Sequence, residues 1–356
     1  MKISPTSVSL ATAVISAVSF GTSGAFIKPL LEAGWSPAAA VTARALTAAA
    51  VLSPAVLFSL RGRWAALWRA RWRVLGMGVI GVAFTQLVYF AAISRIPVST
   101  ALLIEYLAPL LLVGFAWATT RRTPRPTVLL GSALAVGGLI LVIGPGALHS
   151  TDPVGLALAF AASIGCALYF VIAAHPGDDL PPVALAGSGL ALGGLVLAVV
   201  GATGQLRFTA TFGDLPLFGS LAPWWIPLLV VAVIGTALAY ATGITASGKL
   251  GSRLASFVGL LEVVFASLFA WLLLGEDLTA LQLVGGALIL GGIAAVHAEQ
   301  SATKDAPDTD TAQPAGQHVH DRREPTHPRT RTAHTLAFEP PGYTDVPFRS
   351  PPVTSE

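Results

Sequence analysis

The chain divides into ten apolar runs, each long enough to cross a bilayer as a helix. A membrane-spanning helix needs about 20 mostly apolar residues. Between charged, Pro-rich or Gly-rich breaks, the runs fall at 8–31, 36–60, 74–94, 98–119, 127–144, 153–174, 183–202, 224–243, 253–274 and 281–297. Hydrocarbon offers no water to backbone N–H and C=O groups, so such runs must satisfy them internally as helices. The shortest break, Ser94-Arg95-Ile96-Pro97, predicts a tight hairpin between the third and fourth helices. The first run has Lys2 before it and Ser23-Gly24-Ala25 within it, like a secretory signal. It stays apolar to Leu31, however, well past a signal h-region of about 7–15 residues, and is read as an uncleaved helix.

Composition excludes a soluble enzyme. Of the 356 residues, 54% are hydrophobic and 11% charged, against roughly 25% charged in a soluble domain. Fifteen charged residues lie between Glu299 and Glu356, so the apolar body is poorer in charge still. It cannot cover a water-exposed surface. Cys166 is the only cysteine, which excludes a disulfide within the chain. The net charge of +3 does not point to nucleic acid, because the basic residues sit in short loops between apolar runs.

Those loops set the orientation. With the N-terminus inside, Arg61, Arg63, Arg69, Arg71, Arg73, Arg121, Arg122, Arg125, Lys249 and Arg253 lie in cytoplasmic loops, and only Arg95 and Arg207 lie outside. That bias follows the positive-inside rule. Trp64, Trp68 and Trp72, interleaved with arginines, predict an interfacial segment on the inner leaflet. Trp35, Trp224, Trp225 and Trp271 are expected at the outer interface.

The chain also repeats itself. A shift of 154 residues places Ile80-Gly81 on Ile234-Gly235, Phe115-Ala116-Trp117 on Phe269-Ala270-Trp271, Gly131 on Gly285 and Gly137-Gly138 on Gly291-Gly292. A shift of 144 fits the earlier part, with Ser19 on Ser163, Gly21 on Gly165 and Pro37 on Pro181. The extra residues of the second half fall in the 203–223 loop. Each unit has five helices, an odd number, so the second enters from the opposite side. Inverted repeats of this kind characterise secondary transporters, with the substrate path between the halves.

Gly259-Leu260-Leu261-Glu262-Val263, Leu274-Gly275-Glu276-Asp277-Leu278-Thr279 and Gln282 resemble the drug/metabolite transporter superfamily in its ten-helix EamA branch. Val263 stands where that family usually has proline. Ile96-Pro97, Ala101-Leu102-Leu103-Ile104-Glu105 and Pro109 resemble the threonine/homoserine-exporter subgroup, and Pro37 with Arg44 fits the family's second helix. The resemblance covers roughly 8–297 and implies a membrane exporter of amino acids or other small metabolites.

An ionisable group within a bilayer is costly and marks a functional candidate. The deep ones are Arg44, Glu105 and Glu262. At about 1.5 Å per residue, Arg44 and Glu105 both lie roughly 10–12 Å below the outer edge and are placed to pair. The pair reads either as a packing link or as a clamp, Arg44 taking a carboxylate and Glu105 an ammonium. Glu262 lies mid-helix with no evident partner; it reads either as a neutral, hydrogen-bonded group or as a proton-coupling site, since desolvation disfavours a charged carboxyl. Gln86, Tyr89, Tyr106, Tyr169 and Tyr240 also fall within spans and serve either packing or a cavity wall. Lys28 is expected to snorkel to the surface. Glu276 and Asp277 are expected near the start of the last helix, as caps.

Other chemistries lack their signatures. Gly243 with Gly248-Lys249 approaches a phosphate-binding loop, but Leu250 stands where Ser or Thr must hold magnesium. His175-Pro176-Gly177-Asp178-Asp179 reads as a turn. The nine prolines of 299–356 predict disorder, and His318, His320, His327 and His334 lack metal-ligand spacing.

The expected chain is an all-α polytopic membrane protein of ten transmembrane helices in two inverted five-helix repeats. Its parts are a cytoplasmic N-terminus at 1–7, repeats at 8–144 and 153–297, and a disordered cytoplasmic tail at 298–356. The expected role is secondary export of amino acids or related metabolites from the cell by alternating access, with proton coupling open. The alternatives are a passive facilitator of the same fold and a membrane regulator acting through the tail. The partners are a small-molecule substrate and the lipid bilayer of the cell membrane, with no cofactor, no metal and no nucleic acid; a homodimer is compatible and not required.

Overall fold

Proline opens four of the ten spanning helices. A computed structural model describes residues 5–121, 123–144, 152–175 and 179–304, which lie within one compact unit. Pro37, Pro126, Pro153 and Pro182 each occupy a first helical position, where the missing N–H has no partner to lose. Among the described residues ten helices are long and apolar enough to span a membrane. They are Thr6–Glu32, Pro37–Ser59, Arg71–Ile93, Val98–Thr120, Pro126–Ile143, Pro153–Ala174, Pro182–Ala202, Trp225–Leu250, Ser252–Leu274 and Ala280–Glu299, here called the first to tenth spans. The eighth runs farther than the sequence predicts, and the tenth continues as helix to Lys304 rather than giving way to tail at 298. The tail beyond 304 and residues 176–178 of the expected turn lie outside the described residues.

Helix starts use side chains as well. Asp152 Oδ1 accepts from the N–H groups of Val154 (2.9 Å) and Gly155 (3.0 Å) to cap the sixth span. At the tenth span the cap is Thr279 with Gln282, not Glu276 or Asp277. The Thr279 N–H donates to Gln282 Oε1 (2.9 Å), and the Gln282 N–H donates back to Thr279 Oγ1 (3.3 Å). Glu276 is engaged elsewhere, accepting from Lys28 Nζ at 2.7 Å with both side chains about half exposed. Lys28 thus ends at an ion pair rather than in free solution.

The inverted repeat appears as matched departures from regular helix. The third span is π-helical over Gly76–Phe84 and the eighth over Val233–Leu238. The fourth is interrupted between Glu105 and Ala108, and the ninth at Leu260. A shift of 154 residues brings each feature onto its partner. Packing obeys the same symmetry. The fifth span meets the tenth, and the second meets the seventh; the first packs on the eighth and ninth, as the sixth does on the third and fourth. At the fifth–tenth contact a Cβ on Gly131 would stand 2.8 Å from the Gly292 carbonyl, and one on Gly138 would strike that of Gly285. Since Gly131 corresponds to Gly285 and Gly138 to Gly292, these are one contact repeated by the pseudo-two-fold. Small residues there let the backbones touch.

Large apolar side chains such as Phe58, Phe115, Leu130 and Leu195 face outward, as a surface in contact with lipid requires. At one end of the bundle the short helix Trp64–Arg69 carries exposed Trp68, with Trp72 just beyond it. The Arg71 guanidinium lies over both rings, 5.3 and 5.5 Å from their centroids. Arg73 donates to the carbonyls of Ile172 (2.9 Å) and Ala173 (3.1 Å), tying this segment to the end of the sixth span. The Glu299 carboxylate lies 4.0 Å from both Arg125 and Arg253.

At the opposite end the 203–223 loop is built rather than loose. It contains an antiparallel hairpin, β1 (Asp214–Leu217) and β2 (Ser220–Pro223). Its first part straps the connection between the first and second spans. The Ser36 N–H donates to Thr209 O (2.9 Å), the Thr209 N–H returns to Ser36 Oγ (3.1 Å), and Trp35 Nε1 donates to Thr211 O (2.7 Å). This corrects the expectation for Trp35 and Trp224. Trp35 is only 5% exposed and stacks on Trp224 at 5.7 Å, with Phe212 against both. Trp225 and Trp271 remain about half exposed.

Candidate functional site

The fourth span breaks because of Pro109. In a continuous helix residue 109 would donate its N–H to the Glu105 carbonyl; proline has none, and its ring crowds that carbonyl. The helix Val98–Glu105 therefore ends, and a new one starts at Ala108, where proline is tolerated in the first turn. Glu105 sits on the last turn before this break. Glu262 sits in the first turn after the matching break in the ninth span. Both carboxylates thus occupy discontinuities, where backbone polar groups are freed within the membrane only if they line a cavity or meet other protein.

A cavity is what they line. It has a volume of about 550 Å³ and is walled by the first, second, third, fourth, sixth, eighth and ninth spans. Arg44, Gln86, Tyr89, Glu105, Tyr106, Tyr169, Tyr240 and Glu262 all face it. The structure therefore brings together all eight residues read as candidates for the substrate or proton pathway. At one end the wall includes Leu31, Pro37, Ile93 and Val98, which lie at the ends of their spans, on the side of the hairpin strap. Toward the arginine-rich end it stops near Ser247 and Ala255, where buried Leu250, Leu254, Phe257 and Val258 pack together.

The charges are arranged differently from the expected pair. Arg44 and Glu105 share the cavity without an ion pair at contact distance among the described residues. The reason is packing: the second span lies on the seventh and the first half of the fourth on the sixth, which leaves the cavity between them. The field of Arg44 reaches Glu105, Glu262 and Tyr240 across that space. Glu262, which has no evident partner in the sequence, has a neighbour in the fold. Tyr106, on the break of the fourth span, lies close to it on the cavity wall, although no hydrogen bond joins the two side chains among the described residues. That proximity brings the two broken helices together across the repeat.

Aromatic rings make up much of the remaining wall. Phe20 and Tyr240 meet edge to face at 5.3 Å, Tyr169 and Tyr240 at 5.5 Å, and Tyr169 and Phe170 at 5.1 Å. The Tyr169 hydroxyl is buried without a hydrogen-bond partner. Sequence reasoning missed the contribution of the first span. Ser16, Phe20 and Ser23 lie four and three residues apart, one helical face. Ser16 Oγ and Ser23 Oγ donate to the carbonyls of Ala239 (2.8 Å) and Gly235 (3.2 Å). That spacing was the available signal. It missed Cys166 too, whose sulfur gave no signal for the cavity. Among the described residues, no three His, Cys, Asp or Glu side chains converge to hold a metal.

Ten membrane-length helices in two inverted halves, with two carboxylates at broken helices facing a cavity, define a multi-pass membrane protein. The profile of the EamA-like transporter family matches residues 8–144 and 153–297, and the chain belongs to that family. It is 29% identical over 206 residues to the threonine/homoserine exporter RhtA of Escherichia coli K12, a match covering 56% of this chain and 63% of that protein. It is 28% identical over 228 residues to the uncharacterized inner membrane transporter YicL of Salmonella typhimurium LT2, covering 62% and 71%. A solved crystal structure at 18% identity superposes with a TM-score of 0.63 over 84% of this chain and 99% of its own, a likeness of fold.

Proposed function

We propose that the chain exports amino acids or closely related small metabolites by alternating access, driven by a proton gradient. The carrying observation is that Arg44, Glu105 and Glu262 face one cavity without neutralising each other at contact distance. Buried charges left apart are available to a ligand. Arg44 takes the substrate carboxylate, with a guanidinium geometry suited to two oxygens. Glu105 takes the α-ammonium. Glu262, beside Tyr106, carries the proton whose arrival and departure bias the two halves. The exporter relative supports this direction and substrate class. The charge bias of the loops supports cytoplasmic termini, with the strapped end of the cavity outside the cell.

Reconstitution in proteoliposomes tests this reading. An imposed proton gradient should concentrate an amino acid against its own gradient. Glu105→Gln and Glu262→Gln should abolish that accumulation, and Arg44→Ala should raise KM on the order of tenfold. Flux that only follows the substrate gradient, unchanged in either Gln variant, identifies a passive facilitator instead. No flux for any metabolite of a broad panel, with loss of a cellular phenotype on deleting residues 305–356, identifies a regulator acting through its tail.

A further inference from the structure

The charge on the cavity wall does not balance that of a simple zwitterion. Among the described residues, only Glu105, Glu262 and Arg44 bring formal charge to the cavity: two carboxyl groups against one guanidinium. On the exporter reading above, a substrate α-carboxylate answers Arg44 and its α-ammonium answers Glu105. Glu262 is left over. Tyr106 lies near it and brings no charge. A carboxylate enclosed by protein without a positive partner is unfavourable, so a proton or a second cation must meet it.

The surroundings of Glu262 favour a cation with several donors. An ammonium has three N–H donors and no acceptor, so it needs more than one oxygen around it. The field of Glu262 reaches Tyr169, whose hydroxyl lines the same cavity and is buried without a partner. The edge-to-face cluster of Phe20, Tyr240 and Tyr169 adds π faces that attract cations. Nothing in this wall offers a second positive group to an anionic side chain.

We propose that Glu262 receives a second ammonium group, so that the cavity binds diamino acids and related net-cationic amines in preference to neutral zwitterions of equal size. Protons then compete with that ammonium for the same carboxylate, while Arg44 and Glu105 hold the α-groups of either substrate.

An isosteric pair tests the proposal. L-2,4-diaminobutyrate and L-homoserine share a carbon skeleton and differ in a terminal ammonium against a hydroxyl. Calorimetric titration of the purified full chain near neutral pH should show the diamine binding about tenfold more tightly or better. The preference should narrow as acid is added and protons fill Glu262. In Glu262→Gln the ratio of the two affinities should fall to about one, and Glu262→Asp should restore part of it. The pH competition is read on the unmodified protein, so it stands even if a variant misfolds. Equal or tighter binding of homoserine at every pH overturns the proposal, as does a diamine preference that survives in Glu262→Gln. Homoserine export without diamine preference sinks this inference alone. If neither compound is bound or exported, the amino-acid exporter reading falls with it.

Discussion

Asp152 illustrates how a single side chain acts where a span leaves the membrane. The Gly155 N–H, and with it Val154 and Arg95 (3.7 Å away), hold its carboxyl below the usual aspartate range. A lowered folded-state pKa contributes stability above the ordinary aspartate range, and that contribution is lost as pH falls through the lowered value. Asp152→Ala should therefore lower the melting temperature in detergent at neutral pH, and the gap to the unmodified protein should close on acidification. A gap that widens in acid would falsify the assignment. At this scale the sequence was read through scarcity. Arg44, Glu105 and Glu262 stand out because so little else within the spans is charged. Their partners were not legible, because residues in different spans meet only through helix packing. Depth along each helix placed Arg44 beside Glu105; the packing of the second span on the seventh set them apart, and Tyr106 took the place beside Glu262.

Among the helices, interruptions hold the two carboxylates of the cavity and glycines carry the contact. Gly138 and Gly285 lie backbone to backbone, whereas nothing stands within 4 Å of a Cβ placed on the neighbouring Gly137. Gly138→Ala and Gly285→Ala should each destabilise the protein by about 1–3 kcal/mol, because neither carbonyl can retreat without moving a helix. Gly137→Ala should be neutral or stabilising by up to about 1 kcal/mol, since alanine favours helix. Thermal unfolding of the three variants side by side checks this; equal effects would mean that the fifth–tenth contact tolerates separation. Span positions were readable because an apolar run of sufficient length has no other solution in lipid. The break in the fourth span had a signal in Pro109, although the run at 98–119 was read through it as one continuous span. The break at Leu260 had none, since the ninth span has Val263 where a proline would have announced it, and its irregularity depends on the facing helices. The π-helical turns were invisible for the same reason, as an inserted residue leaves the apolar pattern intact.

For the whole molecule, the matched breaks, π-turns and glycine contacts make the two halves versions of each other. On the alternating-access proposal, such a pair reaches its second state by exchanging the conformations of its halves. Cys166, the single cysteine, lines the cavity and reports on that exchange. A small thiol reagent applied from the strapped end should label Cys166 and block flux, a saturating substrate should slow the labelling, and Cys166→Ala should be insensitive. Labelling unaffected by any substrate would place the ligand elsewhere. The hairpin strap has a further consequence. Two conformations related by a perfect two-fold would be equal in energy and equally occupied at rest. The other end has a counterpart, since Arg63 Nη2, between the second and third spans, donates to the Asp179 carbonyl (2.8 Å), between the sixth and seventh; among the described residues the bonds of Ser36, Trp35 and Thr209 to the 203–223 segment are the more numerous set. On the alternating-access proposal, that inequality would favour one of the two conformations at rest, through a segment that touches no charge in the cavity.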